Sequence, residues 1–513
     1  MKKITDVCKN NRLSLVYSFV LSFLVIYGFI LYRGSKDSIA ALLLTITAAL
    51  CLCPFVNLAV VWLIGLEPGE RATAGKPGVL FGALCFALMF ILQLPTFLAF
   101  YPGIIFYDIN TQIEQYEARA FSASHPLLHT FFMGFFKNLF ADPNTGYAWA
   151  TVVQMILADL CLAYILLYVG SKIGSYILPI ITACFYGAFP LCSLLMISST
   201  KDILFSVLLS VVFIDIYRQL TEDCSKPTLI RMIFCGILMI LMRSNAIHAM
   251  MIAAVIILAV LIYKKLPCRK IAIYMLTVIL VSKFAQTAMI RCLDAYPGSI
   301  KEAMSVPIQI MGRIYVTTDD PEEQKIIEKY IPDPGEYTYY ISDPLKKQPE
   351  FDTLDSECKH FLLDTALLSL KHPLIAFNAF MLNTQGYWDM WHSAYQEEHH
   401  YLAREDLRGG AYIASKLPAL KDLYLAHFRY LDLSIYNPLS PFLQMGIYFH
   451  IMLFILLRSV KRRDLPMSLS LMLPAAYTLT LLFGPSAILR YGFAFIILAP
   501  VVLLLSYRRS ISL

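Results

Sequence analysis

The chain has 513 residues, of which 58% are hydrophobic and only 15% charged, and its mean hydropathy is +0.63. That balance excludes an ordinary soluble globular protein, and several apolar runs reach the roughly 20 residues a bilayer crossing takes. The net charge of +6 does not point to nucleic acid, because the basic residues sit in short loops between apolar runs, where they set membrane orientation.

The expected class is therefore an all-α polytopic membrane protein, since only segments that satisfy their own backbone hydrogen bonds cross hydrocarbon. Lys2, Lys3, Lys9 and Arg12 precede an apolar run reaching Leu31. It is long for a signal peptide and no clean small-residue cleavage site follows, so it reads as the first span. About twelve spans are expected, at 13–32, 39–65, 78–101, 147–169, 175–196, 202–218, 229–247, 249–263, 271–291, 438–458, 466–484 and 488–507. The pair meeting near Arg243 and His248 is the least distinct.

Lys172, Arg218, Lys226, Arg231, Lys264, Lys265, Arg269, Lys270, Lys461, Arg462 and Arg463 fall in one set of alternate loops, with the basic N-terminus, Arg71, Lys76, Arg508 and Arg509. The opposite short loops carry only Arg33, Lys36, Lys201, Arg243 and Arg490. The positive-inside rule then places both termini in the cytoplasm and the loops 102–146 and 292–437 outside it. The chain is thereby divided into an N-terminal membrane domain (residues 1–291), an extracytoplasmic, mostly helical segment (292–437) and C-terminal membrane helices (438–513). The twelve cysteines lie mostly in apolar runs, where the thiol behaves as a small hydrophobe; only Cys292 and Cys358 are placed for an external disulfide.

The first outer loop opens with Tyr101-Pro102-Gly103 and runs through Asp108, Gln112 and Ser124-His125-Pro126. Apolar residues at Ile109, Ile113, Tyr116 and Ala120 have helical spacing, with Asp108 placed as an N-cap. A second helix with a Phe-rich face follows Pro126 and reads as lying in the membrane interface. In the later segment, Asp319-Asp320-Pro321-Glu322-Glu323 marks a helix start, and residues 331–349 are rich in turn formers. Helical periodicity returns at 355–371, and 374–392 reads as a helix on the membrane surface, with Tyr387, Trp388 and Trp391 as an aromatic belt.

Several residues are candidates for chemistry. Asp108 is either a helix cap or a base for an acceptor hydroxyl or amine. Lys201 and Asp202 open a span, where a lysine binds phosphate as a point charge or simply snorkels to water. Arg243 in Arg243-Ser244-Asn245 and Arg490 in Arg490-Tyr491 stand at span ends on the same face, and an arginine fork suits phosphate oxygens. Glu397-Glu398-His399-His400 has metal-ligand residue types without a second spaced pair, so a solvated acidic turn is the plainer reading. There is no Walker A pattern, dinucleotide fingerprint or Gly-x-Ser-x-Gly elbow, which disfavours an ATP-driven pump or a serine hydrolase.

Together, the Tyr-Pro-Gly…Asp108…Gln112…His125-Pro126 loop, Lys201-Asp202, Arg243-x-Asn245 and Arg490-Tyr491 resemble the GT-C superfamily of integral-membrane glycosyltransferases. Protein mannosyltransferases and lipid A aminoarabinose transferases are members, and the likeness is closest to a bacterial group of predicted GT-C proteins. The resemblance implies transfer of a sugar from a polyprenyl-phosphate donor to an envelope glycan, lipid or protein acceptor, in a bacterial plasma membrane. It implies Asp108 as catalytic acid/base, and substrate contacts from Tyr101, Gln112, His125, Lys201, Asp202, Arg243, Asn245, Arg490 and Tyr491. Many members carry an acidic pair where this chain has Asp108-Ile109, with the next acid at Glu114, so a divalent cation stays open. A transporter or flippase would instead need ionisable groups near span midpoints, where only Asp159 and Asp215 stand out, and often an internal repeat. A noncatalytic envelope assembly factor would tolerate loss of Asp108.

Overall fold

The computed structural model describes residues 2–32, 37–66, 77–298, 300–348, 354–393, 411–428 and 440–507; the Glu397–His400 turn lies outside them. Helices α1 (Lys2–Tyr32), α2 (Ile39–Gly65) and α3 (Val79–Ala99) lead to a two-residue strand β1 (Ile104–Ile105), then α4 (Tyr107–Ala118) and α5 (Leu127–Leu139). Next come α6 (Pro143–Ile173), α7 (Ile177–Ala188), α8 (Pro190–Met196), strand β2 (Ser198–Ser199), α9 (Lys201–Thr221), α10 (Lys226–Met242), α11 (Ala246–Tyr263) and α12 (Arg269–Cys292). Among the described residues, nine helical segments are long and apolar enough to cross a membrane, or up to eleven if each of two bent pairs is one span. The chain is an all-α polytopic membrane protein.

Among the described residues, nine of the twelve expected spans appear as single helical segments, whereas 229–247 and 438–458 correspond to 17-residue helices, Lys226–Met242 and Met445–Lys461, that are not among them. The segment 175–196 is broken between α7 and α8 by 63°, at Pro190, which lacks an amide proton for the helical ladder. The indistinct pair resolves into α10 and α11, separated at Arg243–Asn245. Helix α6 starts earlier than expected because the Asp142 carboxylate accepts from the Asn144 and Thr145 amides. The last span opens with a 3-10 turn, Leu489–Gly492, before the helix Phe493–Ser506.

The later segment forms α13 (Ser305–Thr317), α14 (Pro321–Glu328), α15 (Asp343–Lys346), α16 (Leu354–Lys371) and α17 (Pro373–Trp388). Its own core gathers Ile308, Met311, Ile327, Leu345, Phe361 and Leu368. Asp320 caps α14 by accepting from the Glu322 amide, with Glu322 and Glu323 in its first turn, as the sequence suggested.

Helix α17 corrects the expectation of a surface helix. It turns 112° from α16, packs against α13 and the helix Met445–Lys461, and is buried over most of its length. Its polar residues have protein partners: Asn378 donates to Asp37 at 3.0 Å and Asn383 to the Gly484 carbonyl at 3.1 Å. Satisfied in this way, they can be buried without the usual cost of an orphaned amide. Tyr387 and Trp388 are likewise buried, not an exposed belt. Cys292 and Cys358 are both free thiols, so the external disulfide is not formed.

Candidate functional site

The site is assembled by a small backbone device. Strands β1 and β2 pair in parallel, Ile104 against Ser198 and Ile105 against Ser199, and Gln154 of α6 donates to the Met196 and Ser198 carbonyls at 3.1 and 2.9 Å. The pairing brings the residues just after each strand side by side, so Asp108 meets Lys201 across a sequence gap no local pattern spans. Gly103 supplies the turn into β1 at φ 122°, a conformation that favours glycine.

Asp108 is not an N-cap. Phe106 occupies the cap position of α4 and Asp108 lies in its first turn. Its carboxylate instead meets Arg490 at 2.9 Å and Lys201 at 3.6 Å. Burial alone would raise its pKa, but the Arg490 and Lys201 charges outweigh burial and hold it well below the usual carboxylate range. The residue expected as a base is thus already bound by two cations, which weakens it for that task.

Asp202 is fully buried at the start of α9, where Thr200 caps the helix by accepting from the Asp202 amide. Its carboxylate pairs with Arg243 on one oxygen and lies 3.4 Å from Arg490 Nε on the other. Arg490, only 1% exposed, therefore bridges Asp108 and Asp202. Arg243 stacks over Tyr491 at 4.3 Å and donates to Asn245 Oδ1 at 2.9 Å. Asn245 in turn donates to Thr480 at 3.1 Å, so the Arg-x-Asn spacing serves to hold the guanidinium in place.

His125 Nδ1 is 3.3 Å from Lys201 Nζ. Burial, then the Lys201 charge, push its pKa down to about 4, so the ring is neutral near pH 7. Gln112 does not reach this cluster; its Oε1 lies 2.9 Å from His129 Nδ1, and burial holds His129 down to about 3. Tyr101 packs edge-on against Phe97 at 5.8 Å beneath Lys416. Eight of the sequence candidates therefore come together (Asp108, His125, Lys201, Asp202, Arg243, Asn245, Arg490 and Tyr491), whereas Tyr101 and Gln112 support the surrounding loops.

A cavity of about 560 Å³ opens at this end of the bundle, lined by Lys201, Arg243, Asn245, Glu302, Tyr387 and Tyr491 among others. Neither Asp108 nor Arg490 lines it. A smaller groove of about 170 Å³ shares Pro126 and Ser244 with it and is walled by Leu127, Leu128, Leu241, Lys283 and Ile290. Glu302, Tyr387 and Thr480 carry no sequence signal for this site; each is an ordinary polar residue whose approach depends on chain packing. Among the described residues, no three His, Cys, Asp or Glu side chains gather to hold a metal ion. The two acids at the centre, Asp108 and Asp202, already have Arg and Lys partners, so a divalent cation does not fit between them.

Residues 113–328 match a family of unknown function (DUF6020). That stretch includes His125, Lys201, Asp202, Arg243, Asn245 and Glu302, and leaves Asp108 and Arg490 outside. No curated protein and no solved structure matches the chain.

Proposed function

We propose that the chain is a GT-C-type glycosyltransferase that moves a sugar from a polyprenyl-phosphate donor to an extracytoplasmic envelope acceptor. One observation carries this reading: a cavity bearing Lys201 and Arg243 adjoins an apolar groove between α5, α10 and α12. A lipid phosphate needs those two environments side by side. Its leaving phosphate gains charge as the sugar departs, and preorganised cations stabilise that charge most where water is scarce. The prenyl tail needs apolar surface, which Leu127, Leu128, Leu241 and Ile290 supply, and the neighbouring α12 also exposes Leu280 and Phe284.

In this scheme Lys201 and Arg243 bind the phosphate, while Asn245 and Tyr491 fix the Arg243 fork. Asp108 and Asp202 hold Lys201, Arg243 and Arg490 in place as positioning residues. Arg490 takes the place between the two carboxylates that a divalent cation would otherwise need. The bacterial plasma membrane, with both termini cytoplasmic and the cavity outside, is the setting this reading requires.

Purified protein should bind undecaprenyl phosphate, and Lys201→Ala and Arg243→Gln should each weaken that binding at least tenfold. In a deletion strain with altered envelope glycans, Asp108→Asn and Arg243→Ala should fail to restore the glycan. Restoration by both variants at normal protein levels would sink the proposal.

A transporter is the second reading, and Asp159 favours it. This acid lies near the middle of α6, is fully buried, and meets Gln93 Nε2 at 3.0 Å. Mid-span acids are what coupled transport uses. Asp159→Asn would abolish solute movement under that reading and leave sugar transfer intact under the first.

A further inference from the structure

We infer that Glu302 is the base that takes the acceptor's proton, an assignment that rests on the glycosyltransferase reading above. Transfer needs a carboxylate or imidazole in contact with the acceptor hydroxyl, within the cavity that also holds the donor phosphate. Asp108 does not line that cavity and is bound by Arg490 and Lys201. Among the described residues, Glu302 is the only carboxylate that does line it; the His248 imidazole lines it too, but no hydrogen bond or ion pair orients that ring, whereas Lys346 orients Glu302.

Glu302 sits on the 3-10 turn Ile300–Ala303, which follows α12 and leads into α13. Its side chain is 62% exposed, so an acceptor can reach it. Lys346 approaches Oε2 at 2.8 Å, while Oε1 has no protein partner among the described residues. The Lys346 ammonium, itself only 4% exposed, is also 3.2 Å from Asp343. Neutralising that buried charge therefore does not depend on Glu302 alone, and a purely structural ion pair does not account for its place on the cavity wall. Lys346 instead orients the carboxylate through Oε2 at the cavity wall.

The acceptor hydroxyl oxygen forms a bond to the anomeric carbon, and its proton passes to Glu302 Oε1. The bond from the anomeric carbon to the phosphate oxygen breaks, and its electron pair leaves with the phosphate, facing Lys201 and Arg243. The products are the glycosylated acceptor and a polyprenyl phosphate.

The test compares wild type with Glu302→Gln and Glu302→Asp. Two quantities are read: binding of undecaprenyl phosphate by the purified chain, and release of undecaprenyl phosphate from glycolipid donor in membranes across a pH series. Glu302→Gln should bind undecaprenyl phosphate as tightly as wild type yet turn over about 10²- to 10⁴-fold more slowly, the usual worth of a general base. Glu302→Asp should recover some of the rate, which also shows that the site still folds. A Gln variant as fast as wild type overturns the assignment, as does one that loses binding and rate in equal measure. Failure of the wild-type chain to bind undecaprenyl phosphate would instead remove the glycosyltransferase reading itself.

Discussion

Arg490 Nη2 lies 2.9 Å from Asp108 Oδ2, while Nε of the same guanidinium lies 3.4 Å from Asp202 Oδ2. One rigid fork thus joins the first turn of α4 to the start of α9 from the far end of the sequence. Lysine keeps the charge but cannot span two carboxylates with a planar fork. Arg490→Lys should therefore bind undecaprenyl phosphate more weakly and unfold earlier. Arg490→Ala should be worse, because Asp202 is fully buried and loses one of its two cationic partners, with Arg243 alone remaining. Thermal unfolding in detergent, run beside the binding assay, measures both effects.

The same bridge predicts the response to chelation. Asp108 and Asp202 already face Arg490, Lys201 and Arg243, so no pair of carboxylates waits for a cation. Donor turnover should persist unchanged in excess EDTA. A rate that disappears with EDTA and returns with manganese or magnesium would show that the guanidinium does not carry the metal's role.

Much of the architecture was legible because apolar length and loop charge are local signals. The span at α9 and the cap at Asp320 follow from runs of a dozen or so neighbouring residues. The candidate site was legible as a set of charged residues at helix ends on one face. What could not be read was their mutual arrangement. Asp108 has the spacing of an N-cap, but pairing of β1 with β2 hands its carboxylate to Lys201 and Arg490 instead. Helix α17 has the composition of an interfacial helix, but Asp37 and the Gly484 carbonyl satisfy its asparagines and let it be buried. Glu302 carries no motif at all; only packing brings it to the cavity.

Gly103 tests whether the strand pairing positions the site. At φ 122°, a Cβ there would come within 2.5 Å of Thr151 Oγ1 and 3.0 Å of the Ile197 carbonyl. Gly103→Ala should destabilise by about 1–3 kcal/mol and lower turnover further than the lost stability explains, because Asp108 moves with β1. Gly174 is the control. It also has positive φ, but a Cβ there meets nothing within 4 Å, so Gly174→Ala should cost stability and spare turnover.

His125 and His129 give the fold a defined pH dependence. Burial lowers both pKa values, to about 4 and about 3, from a reference of 6.5. The unfolded chain therefore binds more protons than the folded one between those folded values and about 6.5, so stability rises with pH across that window and levels off above it. His125→Gln and His129→Gln should each flatten the slope of melting temperature between about pH 4 and pH 6.5. Above pH 7 neither change should alter the slope.

The proposed sidedness of the cavity can be tested at one helix. Helix α12 runs from Arg269–Lys270, beside Lys264 and Lys265, to Cys292, and the chain continues from there to Glu302 and α14. Lys270 at its first end and Glu322 on α14, beyond its second, have side chains 71% and 80% exposed. Lys264, Lys265, Arg269 and Lys270 cluster at the first end, and the proposed orientation puts that end in the cytoplasm. In a chain whose own cysteines are replaced by serine, Glu322→Cys should react with a membrane-impermeant maleimide in intact cells. Lys270→Cys should react only after permeabilisation. The reverse pattern would put the Lys201–Arg243 cavity in the cytoplasm, where a polyprenyl-phosphate sugar displayed on the outer leaflet could not reach it, and the polyprenyl-phosphate donor would have to be abandoned.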